Sequence, residues 1–208
     1  MSSIFPDRFQ TERLRFEPFT AETIDPLELY EHTRSGSGFA DQMAYLSIDA
    51  HDTPYDAREY LRESESAWAE STRANWAMFP LPDEPRAGEF AGVASLIPLW
   101  ERRTARLGIW LLESFWGRGY SGERAAALIE IAFDHLDFEL VAAGHLDGND
   151  TSKRAIEKYV DRFDGTDDGV IRHCVTLDGA VHDLHRYTIS PQAWEANRPP
   201  EGIRLLGE

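Results

Sequence analysis

A glycine-rich stretch between an apolar run and an amphipathic segment constrains the fold of this chain more than any other feature. It places Gly117, Gly119 and Gly122 within six positions. The apolar run 107–112 precedes it, and apolar residues at helical spacing follow it from Ala125 to Leu136. In this order of strand, turn and helix, main-chain N–H groups can approach an anion at the positive end of the helix dipole. The stretch therefore predicts a pyrophosphate-binding turn.

Three other kinds of turn also use glycines in this way: a P-loop, a dinucleotide-binding turn and a tight turn without a ligand. A P-loop requires Gly-x-x-x-x-Gly-Lys-Ser/Thr, which does not occur in the chain. Residues 117–122 match the dinucleotide pattern Gly-x-Gly-x-x-Gly, but antiparallel-looking strands precede them instead of repeated strand-helix units. The last alternative is a tight turn that binds nothing.

Composition bounds the class of protein. The 208 residues, 42% of them hydrophobic, predict a single domain over residues 1–208. No apolar run reaches 18 residues, and the first residues lack a basic segment followed by an apolar one, which favours a cytoplasmic protein that neither crosses nor binds a membrane. The single cysteine, Cys174, excludes an internal disulfide and a cysteine-based zinc site, and no metal is expected.

The charge is strongly acidic, with 37 acidic and 21 basic residues and a net charge of -16. Only two of the basic residues are lysines, Lys153 and Lys158. No basic stripe is present to displace counterions from phosphates, so nucleic acid is not an expected partner. The acidic surface either steers a cationic substrate or is a solvated, halophilic surface, since acidity with scarce lysine resembles proteins of salt-loving organisms.

Hydrophobic periodicity predicts alternating strands and helices along the whole chain. Strands are predicted at 10–19, 76–79, 89–97, 107–112, 138–144, 170–177 and 181–189, the last two joined by a hairpin turn at Asp178-Gly179. Helices are predicted from Thr20 to about Thr33 with Thr20 or Thr23 as its cap, from Tyr55 to Asn75, from Ala125 to Leu136, and from Asp150 or Thr151 to Tyr159. The tail from about residue 195 is expected to be poorly packed.

A second motif, Asn149-x-x-Ser152 continuing to Glu157-Lys158, begins a helix directly after a strand. Together with Gly108-Ile-Trp-Leu111 and Trp116-Gly-Arg-Gly-Tyr-Ser-Gly-Glu123, it resembles the acetyl-coenzyme A site of the GNAT superfamily of N-acetyltransferases. The similarity is greatest to the RimJ/RimL-like branch of ribosomal-protein N-terminal acetyltransferases. Thr11-Glu-Arg-Leu-Arg15 and His182-Asp183 also resemble this branch.

The resemblance implies an α+β fold (mixed α/β), with a central twisted, mostly antiparallel sheet of six to seven strands and about four flanking helices. Two splayed strands would form the acetyl-coenzyme A cleft. The backbone of 109–112 would pair with the pantetheine arm, the amides of 117–122 would hold the pyrophosphate, and three basic residues would reach the adenosine phosphate. The implied cofactor-binding residues are Ile109, Trp110, Leu111, Leu112, Gly117, Arg118, Gly119, Tyr120, Ser121, Gly122, Asn149, Ser152, Lys153 and Lys158.

The resemblance also implies direct transfer, with Ser152 and Asn149 as the catalytic residues. A main-chain N–H at Leu111 or Leu112 would stabilise the oxyanion. Ser152 would protonate the leaving sulfur, unless it is only a second helix cap. Asn149 would orient the cofactor arm or the serine, unless it is only a turn residue.

Two departures from the family pattern and an unassigned base remain. Ile156 occupies the position where many relatives have a tyrosine that acts as the general acid. The helix end near Lys158 lacks the usual glycine, which predicts a longer turn into the last strands. The base is not identified: His145, Asp147, Glu113 and a water relay are all compatible with the sequence.

The sequence thus predicts an acetyl-coenzyme A-dependent N-acetyltransferase acting on a primary amine, either a protein N-terminus or a small molecule. The alternative is a non-catalytic acyl-coenzyme A-binding module that regulates a partner. The sequence leaves a homodimer open.

Overall fold

One open, nine-stranded sheet organises the molecule, seen in a computed structural model that describes residues 3–46 and 48–206. The strand order is β7-β8-β6-β5-β4-β3-β2-β1-β9, and every neighbouring pair is antiparallel except β5 and β6. The strands are β1 (Phe9–Gln10), β2 (Leu14–Pro18), β3 (Ala74–Pro80), β4 (Gly92–Leu99), β5 (Thr104–Leu111), β6 (Leu140–Leu146), β7 (Thr166–Leu177), β8 (Ala180–Ile189) and β9 (Arg204–Leu205). The predicted fold class is confirmed, but six to seven strands was too few because β1 and β9, of two residues each, carry no periodic signal.

Six α-helices are present in the described residues: α1 (Pro26–Thr33), α2 (Phe39–Gln42), α3 (Pro54–Ala69), α4 (Tyr120–Glu130), α5 (Asp150–Arg162) and α6 (Pro191–Asn197). A π-helical turn, Ile131–His135, extends α4. Helices α4 and α5 pack on each other, with α4 on β5 and α5 on β6 and β8, whereas α1 and α3 pack together and α3 lies on β3.

Helix starts depend on caps that periodicity does not show. Helix α1 begins at Pro26, because the Asp25 carboxylate accepts the N–H of Leu27 at 2.7 Å, so Thr20 and Thr23 are not its cap. Helix α3 begins at Pro54 through a capping box of Thr53 and Asp56. It ends at Ala69, because the next residues turn into the fully buried strand β3.

Directly after α5, Asp164 takes the left-handed conformation that a glycine usually supplies at a helix end. Asp164 has φ 50°, and the N–H of Gly165 donates to the carbonyl of Val160 at 2.8 Å. The N–H of Asp164 donates to Asp161 O at 3.3 Å, which completes a Schellman motif. The expected longer turn is therefore wrong, since β7 begins at Thr166.

The last strands form the predicted hairpin, with Asp178 at φ 50° and Gly179 at φ 75°, as a type I′ turn requires. Residues 195–206 of the tail are largely exposed, and within them β9 pairs with β1. Among the described residues, no helix is long and apolar enough to cross a membrane.

Candidate active site

The sheet opens where β5 and β6 diverge. These parallel strands pair only at Thr104–Arg106 with Leu140–Ala142, although both continue for several residues. On the other side of β5, the N–H of Leu112 donates to the carbonyl of Ala91 at 3.0 Å, within the β4 register. Because successive residues alternate direction, Trp110 bonds toward β4, while the N–H groups of Ile109 and Leu111 face the opening. Leu111, not Leu112, therefore offers a main-chain donor to the cleft.

The glycine turn presents a row of unused donors. Gly117 and Gly119 have φ of 74° and 82°, which favours glycine, and Gly119 caps α4 without a side chain. Gly122 N and Glu123 N donate to the carbonyl of Gly119. Among the described residues, none accepts a hydrogen bond from the five preceding N–H groups, 117–121. Five adjacent amides at a helix N-terminus form a site for an anion.

A carboxylate clamp, Glu123 with Arg13 and Thr11, fixes this turn to the first strands. Glu123 accepts hydrogen bonds from Thr11 Oγ1 at 2.5 Å, from Arg13 N at 2.8 Å and from Arg13 Nε at 2.7 Å. The same guanidinium donates to the carbonyl of Arg118 at 2.9 Å. Two motifs separated by about a hundred residues in the chain thus form one structure, a pairing that sequence spacing could not reveal.

Two further predicted cofactor residues in the turn have protein partners. Tyr120 donates its hydroxyl to Glu84 at 2.8 Å, and burial together with this carboxylate raises the pKa of the tyrosine. Arg118 donates to the carbonyls of Ser114 at 3.1 Å and Pro85 at 3.3 Å. The Arg118 guanidinium therefore supports the loop that carries it.

Helix α5 forms the other wall. Asn149 is its cap and accepts the N–H of Ser152 at 3.0 Å, so neither Asp150 nor Thr151 has that role. Ser152 lines the cleft with its side chain half-buried. Of the two lysines, Lys158 lines the cleft and Lys153 does not.

Two arginines missed by sequence reasoning flank Lys158 on the same helix face. Arg154, Lys158 and Arg162 all line the cleft at spacings of four residues. That four-residue spacing is a signal that the sequence itself carries. Tyr159 also lines the cleft and interacts with the fully buried Arg124, whose pKa burial lowers.

The cleft is a continuous cavity of about 1320 Å³ between α4, α5 and β5. All the predicted cofactor residues line it except Leu112 and Lys153. Its lining carries six basic and four acidic residues, a positive balance in a chain of net charge -16. Size, unused amides and positive charge fit a long ligand that carries phosphates, such as coenzyme A.

The predicted base candidates do not line this cavity. His145 is buried, with its ring stacked on His185 at 4.6 Å, and Asp147 Oδ1 lies 2.5 Å from His185 Nε2. Glu113 begins a short helical turn after β5. The cavity is instead extended by Met43, Tyr45 and Leu46, from the segment after α2.

A sheet split beside a helix N-terminus rich in free amides suits an acyl-coenzyme A-dependent transferase. The sequence matches the family described as "Acetyltransferase (GNAT) domain" over residues 13–159. The chain therefore belongs to the GNAT acetyltransferase family, whose cofactor is acetyl-coenzyme A, and the predicted resemblance is confirmed.

Individual relatives agree with this assignment. The chain is 30% identical over 112 residues to the "Putative ribosomal N-acetyltransferase YdaF" of Bacillus subtilis (strain 168), covering 53% of this chain and 59% of that protein. Its structure is similar to that of a "putative acetyltransferase" from T. thermophilus, with TM-score 0.74, 27% identity, and 95% and 96% of the two chains covered. A GCN5-related N-acetyltransferase from Brucella melitensis has the same fold, with TM-score 0.76, 18% identity, and 93% and 82% covered.

Proposed function

We propose that this chain transfers an acetyl group from acetyl-coenzyme A to a primary amine by direct attack, with Ser152 and Asn149 in the catalytic site. The observation that carries the proposal is the row of five unused amides, 117–121, in one cavity with the N–H of Leu111 and the side chain of Ser152. The first group suits a pyrophosphate, and the other two suit a reacting thioester.

The cofactor would supply the activated acetyl thioester. The N–H groups of Ile109 and Leu111 would orient its arm, and the Leu111 N–H can donate to a carbonyl oxygen that gains negative charge. The Ser152 hydroxyl, held at the helix start by the Asn149 cap, can donate a proton to a thiolate. Arg154, Lys158 and Arg162 would neutralise phosphate charge farther along α5.

The acceptor is proposed to enter beside Met43, Tyr45 and Leu46. Tyr45 lies against the turn before α5: a Cβ on Gly148 would be 2.9 Å from its hydroxyl oxygen. This segment thus lies beside the turn after β6 and lines the cavity. The name of the Bacillus relative favours a protein N-terminus as acceptor, and a small amine is the alternative.

Substituting Ser152 separates catalysis from cofactor binding. Ser152→Ala is expected to lower kcat about 100-fold, as loss of a proton donor does, while the dissociation constant of coenzyme A from calorimetry stays unchanged. The acceptor panel contains peptides with free N-termini and small amines, assayed at low and high salt. Thr151→Ala, on the neighbouring cavity residue, is the control for local helix effects.

Two results would contradict the proposal in different ways. Absence of coenzyme A binding at millimolar concentration would exclude the family's chemistry in this chain. Normal binding with no turnover of any acceptor, in wild type and variant alike, would support the non-catalytic acyl-coenzyme A-binding module.

A further inference from the structure

The chain end forms one wall of the cavity. Residues 199–204 line it, although they lie beyond the segment 13–159 that matches the family. After α6, whose Trp194 is buried against Phe163, the chain crosses the end of α4 and reaches the edge of the sheet at β1. We call residues 199–206 the C-terminal strap.

Contacts along the strap hold it across the cavity. Before the strap begins, Arg198 pairs with Asp134 at 2.7 Å. At its middle, the N–H of Ile203 donates to the two carboxylate oxygens of Glu130 at 3.1 and 3.2 Å. At its end, β9 pairs with β1, and Leu206 N donates to the carbonyl of Arg8 at 2.9 Å.

The strap packs on Glu130 without spare room. A Cβ at Gly202 would lie 2.6 and 2.8 Å from the carboxylate oxygens of Glu130, so a larger residue there would displace the end of this side chain. Burial raises the pKa of the Glu130 carboxyl, against the opposing effects of the Ile203 N–H and of Arg198. The contact between Glu130 and the strap is therefore close enough to keep the strap in place.

The position of the strap identifies which part of a ligand it would meet. Glu130 and Arg162 are the last residues of α4 and α5, and Glu130 lies eleven residues after Gly119, about 16 Å along the helix. Ile203 of the strap is thus at the C-terminal end of α4, away from the glycine turn. Lys158, Arg162 and Arg204 also line the cavity, which suits a phosphate-bearing nucleotide.

We propose that the C-terminal strap is part of the cofactor site, closing over the nucleotide end of coenzyme A and slowing its release. This proposal rests on the proposed function. The strap makes the chain selective for a donor that carries the nucleotide over a short acyl thioester that lacks it. Release of the bound nucleotide requires the Glu130 to Ile203 contact to open.

Two substitutions at Glu130 test the strap directly. Glu130→Ala removes the acceptor for Ile203, whereas Glu130→Gln keeps an acceptor oxygen without the charge. Stopped-flow release of coenzyme A is expected to be roughly ten-fold faster in Glu130→Ala, the effect of losing one hydrogen bond, and near wild type in Glu130→Gln, which keeps an acceptor for it. Glu59→Ala, which removes a half-buried helical glutamate on α3 far along the chain from the strap, is the matched control and should change nothing.

A donor without the nucleotide provides the second arm. Acetyl-pantetheine should bind wild type and Glu130→Ala equally, because it does not reach the strap. Hydrogen exchange at Ile203 and Leu205 should slow when coenzyme A is added to wild type, a readout that needs no turnover.

Each contrary result has one meaning. If Glu130→Ala releases coenzyme A at the wild-type rate, or weakens acetyl-pantetheine equally, the strap proposal is wrong. If exchange at Ile203 does not respond to bound coenzyme A, it is also wrong. If wild type binds neither compound, the proposed function fails first.

Discussion

Glu123 is the single residue on which the geometry of the anion site most depends. Its carboxylate accepts from Thr11 and from two nitrogens of Arg13, and Arg13 in turn supports the carbonyl of Arg118. The side chain of Glu123 is 13% exposed, so these bonds are partly protected from water. Its role is to join the first strands to the glycine turn.

Removing this carboxylate should destabilise the fold and weaken the anion site. We expect Glu123→Ala to lower the free energy of unfolding by about 2 kcal/mol, the range for losing hydrogen bonds to a charged group, and to weaken coenzyme A binding. Urea unfolding and calorimetry measure the two effects. Glu139→Ala removes an exposed carboxylate that pairs with Arg103 and should change neither quantity measurably. An equal loss in both variants would contradict this role for Glu123.

A buried histidine away from the cavity makes stability depend on pH. His51 Nδ1 lies 2.7 Å from Thr33 Oγ1, and because that hydroxyl donates to the carbonyl of Leu29, the histidine nitrogen must be the donor. Burial lowers the pKa of His51 below its ordinary 6.5, against the opposing pull of Asp56 and Asp49. The folded state therefore favours the neutral ring.

The sign of the effect follows from linkage. Below pH 6.5 the unfolded chain takes up a proton at this histidine before the folded chain does, so the free energy of unfolding falls as pH decreases. His51→Gln should be less stable at pH 8 but should lose less stability between pH 7.5 and 5 than wild type. Urea unfolding at several pH values measures this difference. Subtracting one stability curve from the other removes the contribution of the carboxylates that both proteins share. Parallel curves would refute the assignment.

At the scale of elements, the sequence predicted types and order better than boundaries. The strand, glycine turn and helix at 107–136 follow from strong periodicity, and the Asp178-Gly179 hairpin follows from turn chemistry. The start of α1 was missed because the apolar pattern began before the cap and proline that define it. Helix α5 ran beyond Tyr159 because an aspartate can replace glycine at a left-handed stop.

The helix stop at Asp164 gives an element-scale prediction. Asp164→Gly should stabilise the fold by about 0.5–1 kcal/mol, because glycine adopts positive φ without steric cost. The same change at Asp161, inside α5, should destabilise it by about 1 kcal/mol. Thermal unfolding of the two variants gives opposite shifts if the Schellman motif limits the helix. Shifts of the same sign would contradict that interpretation.

The candidate site shows where sequence reasoning ends. Residues on contiguous motifs, such as Gly117 and Ser152, were placed in one cavity by the sequence alone. Residues brought in by tertiary packing, such as Arg13, Tyr45 and Ile203, carry no local signal of their position. The direction of a main-chain N–H, as at Leu111, depends on strand register, which the sequence leaves open by one residue.

At the scale of the whole molecule, the acidic surface surrounds a cavity of opposite charge balance. A net charge of -16 destabilises the compact state by self-repulsion, and salt screens that repulsion. We therefore expect the urea midpoint to rise between 0.1 and about 2 M KCl, where the Debye length falls from about 10 Å to below 3 Å. A midpoint that falls or stays constant would remove the case for a salt-adapted surface.

The same salt series separates the two explanations of the charge. If the surface steers a cationic acceptor, kcat/KM for that acceptor should fall steeply with salt, while that for a neutral amine should not. If the charge only keeps the protein hydrated in salt, both acceptors should respond alike.

The short contact between β5 and β6 has a mechanical consequence. In the part of the chain that the structure describes, three residue pairs form the β5–β6 ladder between strands β1–β5 and strands β6–β8. The two parts of the sheet are therefore joined by a short ladder, and the packed helices α4 and α5 also connect them. After α6 the chain leaves the β6–β8 part of the sheet and pairs through β9 with β1, at the outer edge of the other part. This pairing is a further connection, far from the β5–β6 ladder. A force that separates the two parts of the sheet is therefore shared among these connections. A ligand bound between β5 and β6 would add another.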